Sequence, residues 1–516
     1  MSYRSVKQAP IGGIRPDKDL TSLSPVEASY LENWWVDGNS LLVRPGYTSH
    51  GTGAADSIDQ LFTYISGSGT VKIIAKAVGT LYDTTASGAM SSMTSCNSNY
   101  TYAAQIGISG TQYMYFATGI ADPLLYNGST WTTVNNASVP AITGVTTSLL
   151  MSPIVFKNRL FWLEKNTTRL IYLPLNSVGG AASVIDLGTY MRKGGSLYSM
   201  NSMTLDSGSG IDDRLVVVTS EGEVLIFTGT DPSSANTWAL LGTFDCAKPV
   251  GYGASTVKVS GDVLLLTIAG IFSVADITRG VITARQAYAW INNLIIDKFL
   301  YADSTSQALG IYYIKKLGIV LINMGSVGAT EQYIMCLKSG YSSWMKWTGF
   351  ITNTFVEDKD YVYFANSTNT YKCSKTLGTD NGTAITAKVL FAFDTYRTSN
   401  LKRSMLICPL LASPSSNTSV GLECNTNWST DVDRSVATTA LGSGGGSGIY
   451  FSSFLFEAAG TETYFFADNL GSVNTYFMVA DQVGLAIAPY MVVVSDSVDT
   501  RLFGYEIIYD ILKGVR

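Results

Sequence analysis

Side chains able to do chemistry are few in this chain and widely spaced. It holds one histidine, His50, in the run Tyr47-Thr48-Ser49-His50, so any Ser/His/Asp triad would have to be built on that residue. A solvent-exposed loop histidine is the simpler reading. The run Asp206-Ser207-Gly208-Ser209-Gly210-Ile211-Asp212-Asp213 offers carboxylates and glycines to a calcium ion. It lacks the EF-hand ligand spacing and the distal glutamate, and reads as a tight acidic loop. Its Gly-x-Gly and those of Gly442-Ser443-Gly444-Gly445-Gly446-Ser447-Gly448 have no strand-to-helix setting, so neither predicts a phosphate cradle.

Paired carboxylates are a further candidate chemistry, because propeller glycosidases set Asp and Glu across the ring centre. Asp212, Asp213, Glu221, Glu223 and Asp231 are close in sequence, but Glu221 and Glu223 flank a hairpin turn, where surface charges sit. The six cysteines, Cys96, Cys246, Cys336, Cys373, Cys408 and Cys424, show no CxxC or CxH pairing and read as free thiols. No catalytic residue, metal ligand or cofactor site is predicted. Of 20 Phe, 30 Tyr and 9 Trp, most fall at alternating strand positions, where packing accounts for them better than a sugar-binding face. Trp34-Trp35 and the Trp344/Trp347 pair are different. Neighbours in a strand face opposite ways, so some of these indoles should meet a second element or a second chain.

The framework for these residues is set by composition. Over 516 residues, 46% are hydrophobic and only 14% charged, against roughly 25% charged in ordinary soluble chains. That excludes long disorder. A net charge of −5 argues against a general nucleic-acid binder, and Arg397 with Lys402-Arg403, the one basic cluster, reads as a solvated face. Mean hydropathy is +0.18, yet Val263–Ala275 is broken by Gly270 and the run ending Met491-Val492-Val493-Val494 contains Pro489. Neither reaches the ~20 apolar residues of a membrane span, and Met1–Lys7 has no apolar segment behind it, so no secretory signal is expected. Other protein chains are the expected cover for so poorly charged a surface.

Most of the chain predicts strands. A helix is predicted at Ser24-Pro25-Val26-Glu27-Ala28, with Ser24 as cap and Glu27 in a capping box, ending before Asp37-Gly38. A loose repeat follows: an apolar strand, a tight turn, and a second strand often bearing Tyr or Trp. It starts at Val71, Gln112, Ile154, Arg214, Asp262 and Gly310, with a seventh candidate at Tyr361. A spacing of roughly fifty residues suits one four-stranded blade per unit. The expected architecture is all-β: a short N-terminal helix in a lead over residues 1–50, a six- or seven-bladed β-propeller over 51–375, and a C-terminal β-sandwich over 376–516.

The lead from Leu20 through Leu31-Glu32-Asn33-Trp34 to Arg44-Pro45-Gly46 resembles the opening of bacteriophage tail hub or nozzle proteins of short-tailed phages. So do the block Phe156–Phe161 with Tyr172-Leu173-Pro174-Leu175 and Gly179-Gly180-Ala181-Ala182, and the stretch from Asp212 through Gly229-Thr230-Asp231-Pro232 to Trp238. The resemblance covers about residues 20–50 and 150–275 and is only textural beyond 380. It implies a non-enzymatic virion protein, assembled in the host cytoplasm as a hexamer. Such a ring would lie below the portal and adaptor, conduct double-stranded DNA without sequence-specific binding, and anchor fibres or spikes. The lead and the domain after Asp380 would build the ring and the propeller would face outward. On this footing Trp34, Trp35, Arg44, Trp344 and Trp347 are candidate ring or partner contacts. The rival expectations are a propeller glycosidase or depolymerase and a receptor-binding tail protein.

Overall fold

The computed structural model describes residues 2–206, 211–251, 253–280, 290–301, 309–324, 331–337, 342–352, 354–414, 417–440, 474–475 and 478–512. The glycine loop at 442–448, the predicted strands at 450–451 and 463–466, and the tip of the acidic loop at 207–210 lie outside the described residues.

Seven small antiparallel sheets form a closed ring. Their first strands are Ile58–Ile65, Tyr102–Ile108, Leu150–Phe156, Leu197–Asp206, Thr256–Val259, Leu309–Ile314 and Phe355–Glu357, and each leads its sheet at the hub. We number the blades 1 to 7 in that order. Blade 1 meets blade 2 through paired bonds between the Gln60 amide and the Thr101 backbone, 2.7 and 2.8 Å. Blade 7 meets blade 1 where Thr354 Oγ1 accepts the Leu61 N–H at 3.2 Å. The first strand of each blade from 2 to 6 also packs on the first strand of the next.

Strand sequences explain why a ring is the stable solution. In blade 4, Leu215 and Val217 join the core shared with blade 3, while Val216 and Val218 join the core shared with blade 5. In blade 3, Leu160 and Trp162 face blade 2, and Phe161 and Leu163 face blade 4. Alternate residues point to opposite faces, so an uninterrupted apolar run marks a strand buried on both sides. Only a closed ring gives every such strand two neighbours.

Blade 7 supplies only three strands from its own stretch, and Tyr47–Thr52 completes it by pairing with Asn369–Cys373. The ring is thus closed by strands from both ends of the propeller sequence. His50 lies on this closing strand. It is not the exposed loop residue expected from sequence: it is 6% exposed, with Nε2 2.8 Å from the Thr84 carbonyl and Nδ1 buried without a partner among the described residues. Burial holds its pKa below the usual 6.5. The unfolded chain therefore binds a proton more readily than the native one. His50 contributes stability that is present above about pH 6.5 and is lost as pH falls through its lower native value. Melting curves between pH 7.5 and 5 should show a fall in Tm that flattens in His50→Gln; an unchanged slope would contradict this role.

The helix predicted at residues 24–36 is absent. The Glu27 carboxylate does accept the Ser24 N–H at 2.8 Å, but this forms a single turn. Ala28–Glu32 and Trp34–Asp37 are strands, with Asn33 between them at φ 59°. Apolar residues on both sides of this stretch have long-range partners, and tertiary pairing overrides the local capping signal. Helix forms instead in blade 5 after its third strand, at Val274–Thr278 and Asn292–Tyr301. Ile291, Ile295 and Phe299, spaced i, i+4, i+8, are its buried stripe.

Beyond the ring lies a two-sheet sandwich. One sheet is centred on Arg501–Ile511, flanked by Ser2–Gln8 and Ser40–Val43 on one side and Lys402–Ala412 on the other. The second pairs Ala28–Glu32, Thr383–Phe391, Ile487–Ser495 and Ser419–Thr426. Ile407, Leu411, Tyr505 and Ile507 from the first sheet meet Val389, Phe391, Leu422 and Met491 from the second. The Phe391 and Tyr505 rings touch edge to face at 4.5 Å. The predicted solvated face at Lys402-Arg403 is half corrected. Arg403 is exposed and paired with Asp481, but the Lys402 ammonium is buried and donates to the carbonyls of Thr398, Asn400 and Leu485 at 2.6–2.8 Å.

Candidate functional site

The five residues singled out from sequence all lie where the ring joins the sandwich, and four of them form one tight seam. The lead runs through it, the last strand of blade 6, Ser343–Thr348, lies against it, and Asp380 enters from the start of the sandwich. Arg44 is its hub. Its guanidinium donates to Asn33 Oδ1 at 2.9 Å, the Pro45 carbonyl at 3.0 Å, the Thr348 carbonyl at 2.7 Å and both oxygens of Asp380. It lies over the Phe350 ring at 4.6 Å. Gly349, at φ 94°, is required here, because a Cβ would stand 2.5 Å from the Arg44 guanidinium.

Around this hub, Trp347 Nε1 donates to the Trp34 carbonyl at 2.8 Å, and Trp34 Nε1 to the Lys388 carbonyl at 3.1 Å. The Trp344 carbonyl accepts the Ile14 N–H at 2.8 Å. Trp35 packs under the Lys375 ammonium, 4.6 Å from its ring centre. All five side chains are buried in the protomer. The second element required by their sequence pattern is therefore within the same chain, and as contacts to a second chain they offer no surface. Thr348 and Asp380, partners of Arg44, were missed from sequence because nothing local pairs residues 304 and 336 positions apart, and Asn33, 11 positions away, carries no signal that its side chain turns toward Arg44.

Of the other candidate carboxylates, four have structural partners, while the side chains of Asp206 and Asp212 lie outside those described. Asp213 accepts from Thr204 at 2.8 Å and lies 3.3 Å from Lys157, which hold its pKa below the ordinary range. Glu223, expected at the surface, is buried, where its carboxylate accepts the Arg192 and Lys193 backbone N–H groups at 3.0–3.1 Å. Glu221 pairs with Lys248 and Asp231 with Arg159. None of the six cysteines forms a disulfide, and burial raises Cys96 to about 11 and Cys246, Cys373 and Cys424 to about 12, far from thiolate chemistry. Among the described residues no three His, Cys, Asp or Glu side chains are grouped to hold a metal, and no helix is long and apolar enough to cross a membrane.

A larger space opens at the propeller axis. The cavity is about 550 Å³, and residues on or beside the first strands of all seven blades line it. Its aromatic wall is built from Tyr100 and Tyr102, edge to face at 5.1 Å, and Tyr312 against Phe355 at 5.6 Å. Gly253, at φ 75°, admits the tyrosines, since a Cβ there would stand 2.2 Å from the Tyr100 ring. Its polar wall includes Ser152, Asn201 and Thr256. Two carboxylates reach it. Asp59 pairs through Oδ2 with buried Lys76 at 2.7 Å, and Glu357 accepts the Lys316 backbone N–H at 3.1 Å. Burial raises the Asp59 pKa, and its Oδ1 is buried without a hydrogen-bond partner among the described residues. Nothing in the sequence repeat marked this lining.

No protein-family model and no curated protein matches the chain. Among solved structures the chain is similar to BBS1N, from its crystal structure in complex with ARL6DN, at 10% identity and TM-score 0.37, covering 64% of this chain and 97% of that one. It is also similar to a glycoside hydrolase family 43 arabinoxylan arabinofuranohydrolase from Bacillus subtilis, solved in complex with cellotetraose. There identity is 12% and TM-score 0.25, over 90% of this chain and 96% of that one. Likenesses this distant carry nothing about activity or ligand, and the assignment of an all-β propeller with a sandwich rests on the strand pairing itself.

Proposed function

We propose that the chain is a non-enzymatic structural protein of a short-tailed phage virion, a nozzle or hub that assembles as a hexameric ring below the portal and adaptor. The observation that carries this reading is the building of the lead into the sandwich. Ala28–Glu32 pairs with Thr383–Phe391, and Ser40–Val43 with Arg501–Ile511. The lead, one of the two stretches with the strongest resemblance, therefore shares sheets with the domain after Asp380, and its last strand, Tyr47–Thr52, closes the propeller. Such sharing supports a division of labour in which lead and C-terminal domain make the ring and the propeller faces outward. The acidic balance of the chain suits a conduit, because each neutralised phosphate would add salt-dependent grip on passing DNA.

The same unit has a surface for self-association. On the outer face of the sheet centred on Arg501–Ile511, Val6 is 59% exposed, Val483 is exposed, and Leu406, Leu410 and Ile508 are half-buried. The Arg403–Asp481 pair borders this face and the Arg4–Glu506 pair crosses it, Glu506 opposite Val6 and Arg4 opposite Ile508. Exposed apolar residues among paired charges suit a subunit contact of mixed character. Val6→Asp should leave the melting temperature of the protomer within a few degrees of the parent and shift the mass in solution from ring to monomer. An unchanged assembly would place the contact elsewhere, and a chain that is monomeric before substitution and forms no ring in particles would remove the reading.

A further inference from the structure

The axial cavity of the propeller has a chemistry of its own, apart from the ring-forming unit. Its volume, about 550 Å³, lies in the range of small-molecule sites, and all seven blades contribute to it. Two features of its lining select a ligand class. Tyr102, Tyr312 and Phe355 present ring surface between hydroxyl and amide groups from Ser152, Asn201 and Thr256. And among the described residues the lining includes no lysine, arginine or histidine, while Asp59 and Glu357 carry acid to it.

Each feature excludes something. Phosphates, nucleotides and other anions would enter a site with two carboxylates and no cationic side chain to receive them. A purely apolar ligand would strip water from the hydroxyls and the Asn201 amide without replacing their bonds. A strong cation is disfavoured because the carboxylates are already engaged, Asp59 by the Lys76 ammonium at 2.7 Å and Glu357 by a backbone N–H at 3.1 Å. What remains is an uncharged ligand with both apolar faces and many hydroxyls. A pyranose ring has this character: its C–H face stacks on an aromatic ring, and its hydroxyls both donate and accept. Asp59 Oδ1 is a buried acceptor without a hydrogen-bond partner among the described residues. The rigidity of the setting favours binding, since the wall is made of paired strands and Gly253 fixes how closely the tyrosines approach.

We propose that the propeller axis is a binding site for a neutral saccharide, stacked on the Tyr102/Tyr312 wall and hydrogen-bonded by Asn201 and Thr256. This goes beyond the structural role proposed above and does not depend on it, because a monomeric chain would keep the cavity.

The test uses the full chain, titrated by calorimetry and ligand-observed NMR. The probes are neutral tetrasaccharides of glucose, galactose, rhamnose and N-acetylglucosamine, alongside inorganic phosphate and spermidine. The expected result is saturable binding of at least one tetrasaccharide and none of phosphate or spermidine. Tyr312→Ala should weaken that binding about tenfold or more, as loss of a buried aromatic contact does. Asn201→Ala, a smaller change at the wall, should weaken it about three- to tenfold and decides the matter if the tyrosine variant does not fold. Absence of saturable binding by all four tetrasaccharides up to about 10 mM, near the weak limit for a specific site, would overturn the proposal. So would preferential binding of phosphate or spermidine, or saccharide binding that both folded variants leave intact. Ring assembly measured on the same preparation is a separate readout, so failure of one proposal does not count against the other.

Discussion

Arg44→Met is expected to destabilise the chain by about 3–5 kcal/mol, the cost of breaking a buried ion pair by removing one partner. Arg44 is 1% exposed and its guanidinium holds three parts of the molecule together: Asn33 of the lead, Thr348 of blade 6 and Asp380 of the sandwich. Methionine fills much of the volume but donates nothing. Asp380 then loses its partner at the seam, the Pro45 and Thr348 carbonyls lose the Arg44 donor, and the Asn33 amide oxygen is left with the Thr348 N–H alone. The loss should appear as a lower denaturation midpoint. Arg44→Met combined with Asp380→Leu should cost less than the two single changes added together, because each removes what the other needs. A loss below about 1 kcal/mol, typical of an exposed ion pair, would contradict the hub role.

The second large effect is at Trp347. Its indole is 1% exposed, stacks on Phe350 with ring centres 5.8 Å apart, and donates to the Trp34 carbonyl. Trp347→Ala removes that contact surface and leaves a cavity between blade 6 and the lead, at a cost of about 3–5 kcal/mol. Trp347→Phe keeps ring contact but loses the donor, and should fall between the two. Because the damage is at the seam, protease cleavage between propeller and sandwich should accelerate in Trp347→Ala before either part unfolds. Equal protection in the variant and the parent would show that the seam does not depend on this indole.

Much of the architecture was legible in the residues. Runs such as Leu215–Val218 and Val263–Leu266 are apolar at every position because alternate side chains enter different inter-blade cores. The recurrence of those runs marked the blades one by one. The innermost strands were harder to read. They carry residues such as Gln60, Ser152, Asn201 and Thr256 because one side borders the axial cavity, so the repeat pattern fades where the candidate site lies. The error at residues 24–36 has a related cause. Ser24 and Glu27 do bond as a capping box would have them, but Leu31 and Tyr30 pair with Val389 and Leu390, and no local signal reports a partner that distant.

Trp34, Trp35, Trp344 and Trp347 illustrate both the reach and the limit of sequence reasoning. Their spacing required a second element, and the structure supplies one in the same protomer. The same burial accounts for part of the high apolar content once assigned to partner chains. Lys402 shows the opposite limit: a lysine in a basic cluster looked solvated, yet three backbone carbonyls enclose its ammonium. Neither sequence clustering nor charge type reveals which side of a sheet a residue will occupy when its pairing partner is unknown.

Electron cryomicroscopy of intact particles tests the central proposal most directly. The account predicts a six-fold ring of this chain beneath the portal, with the sandwich around the channel and the propellers outermost. A particle without this chain, or one in which it is present only as isolated monomers away from the head-to-tail junction, would contradict it.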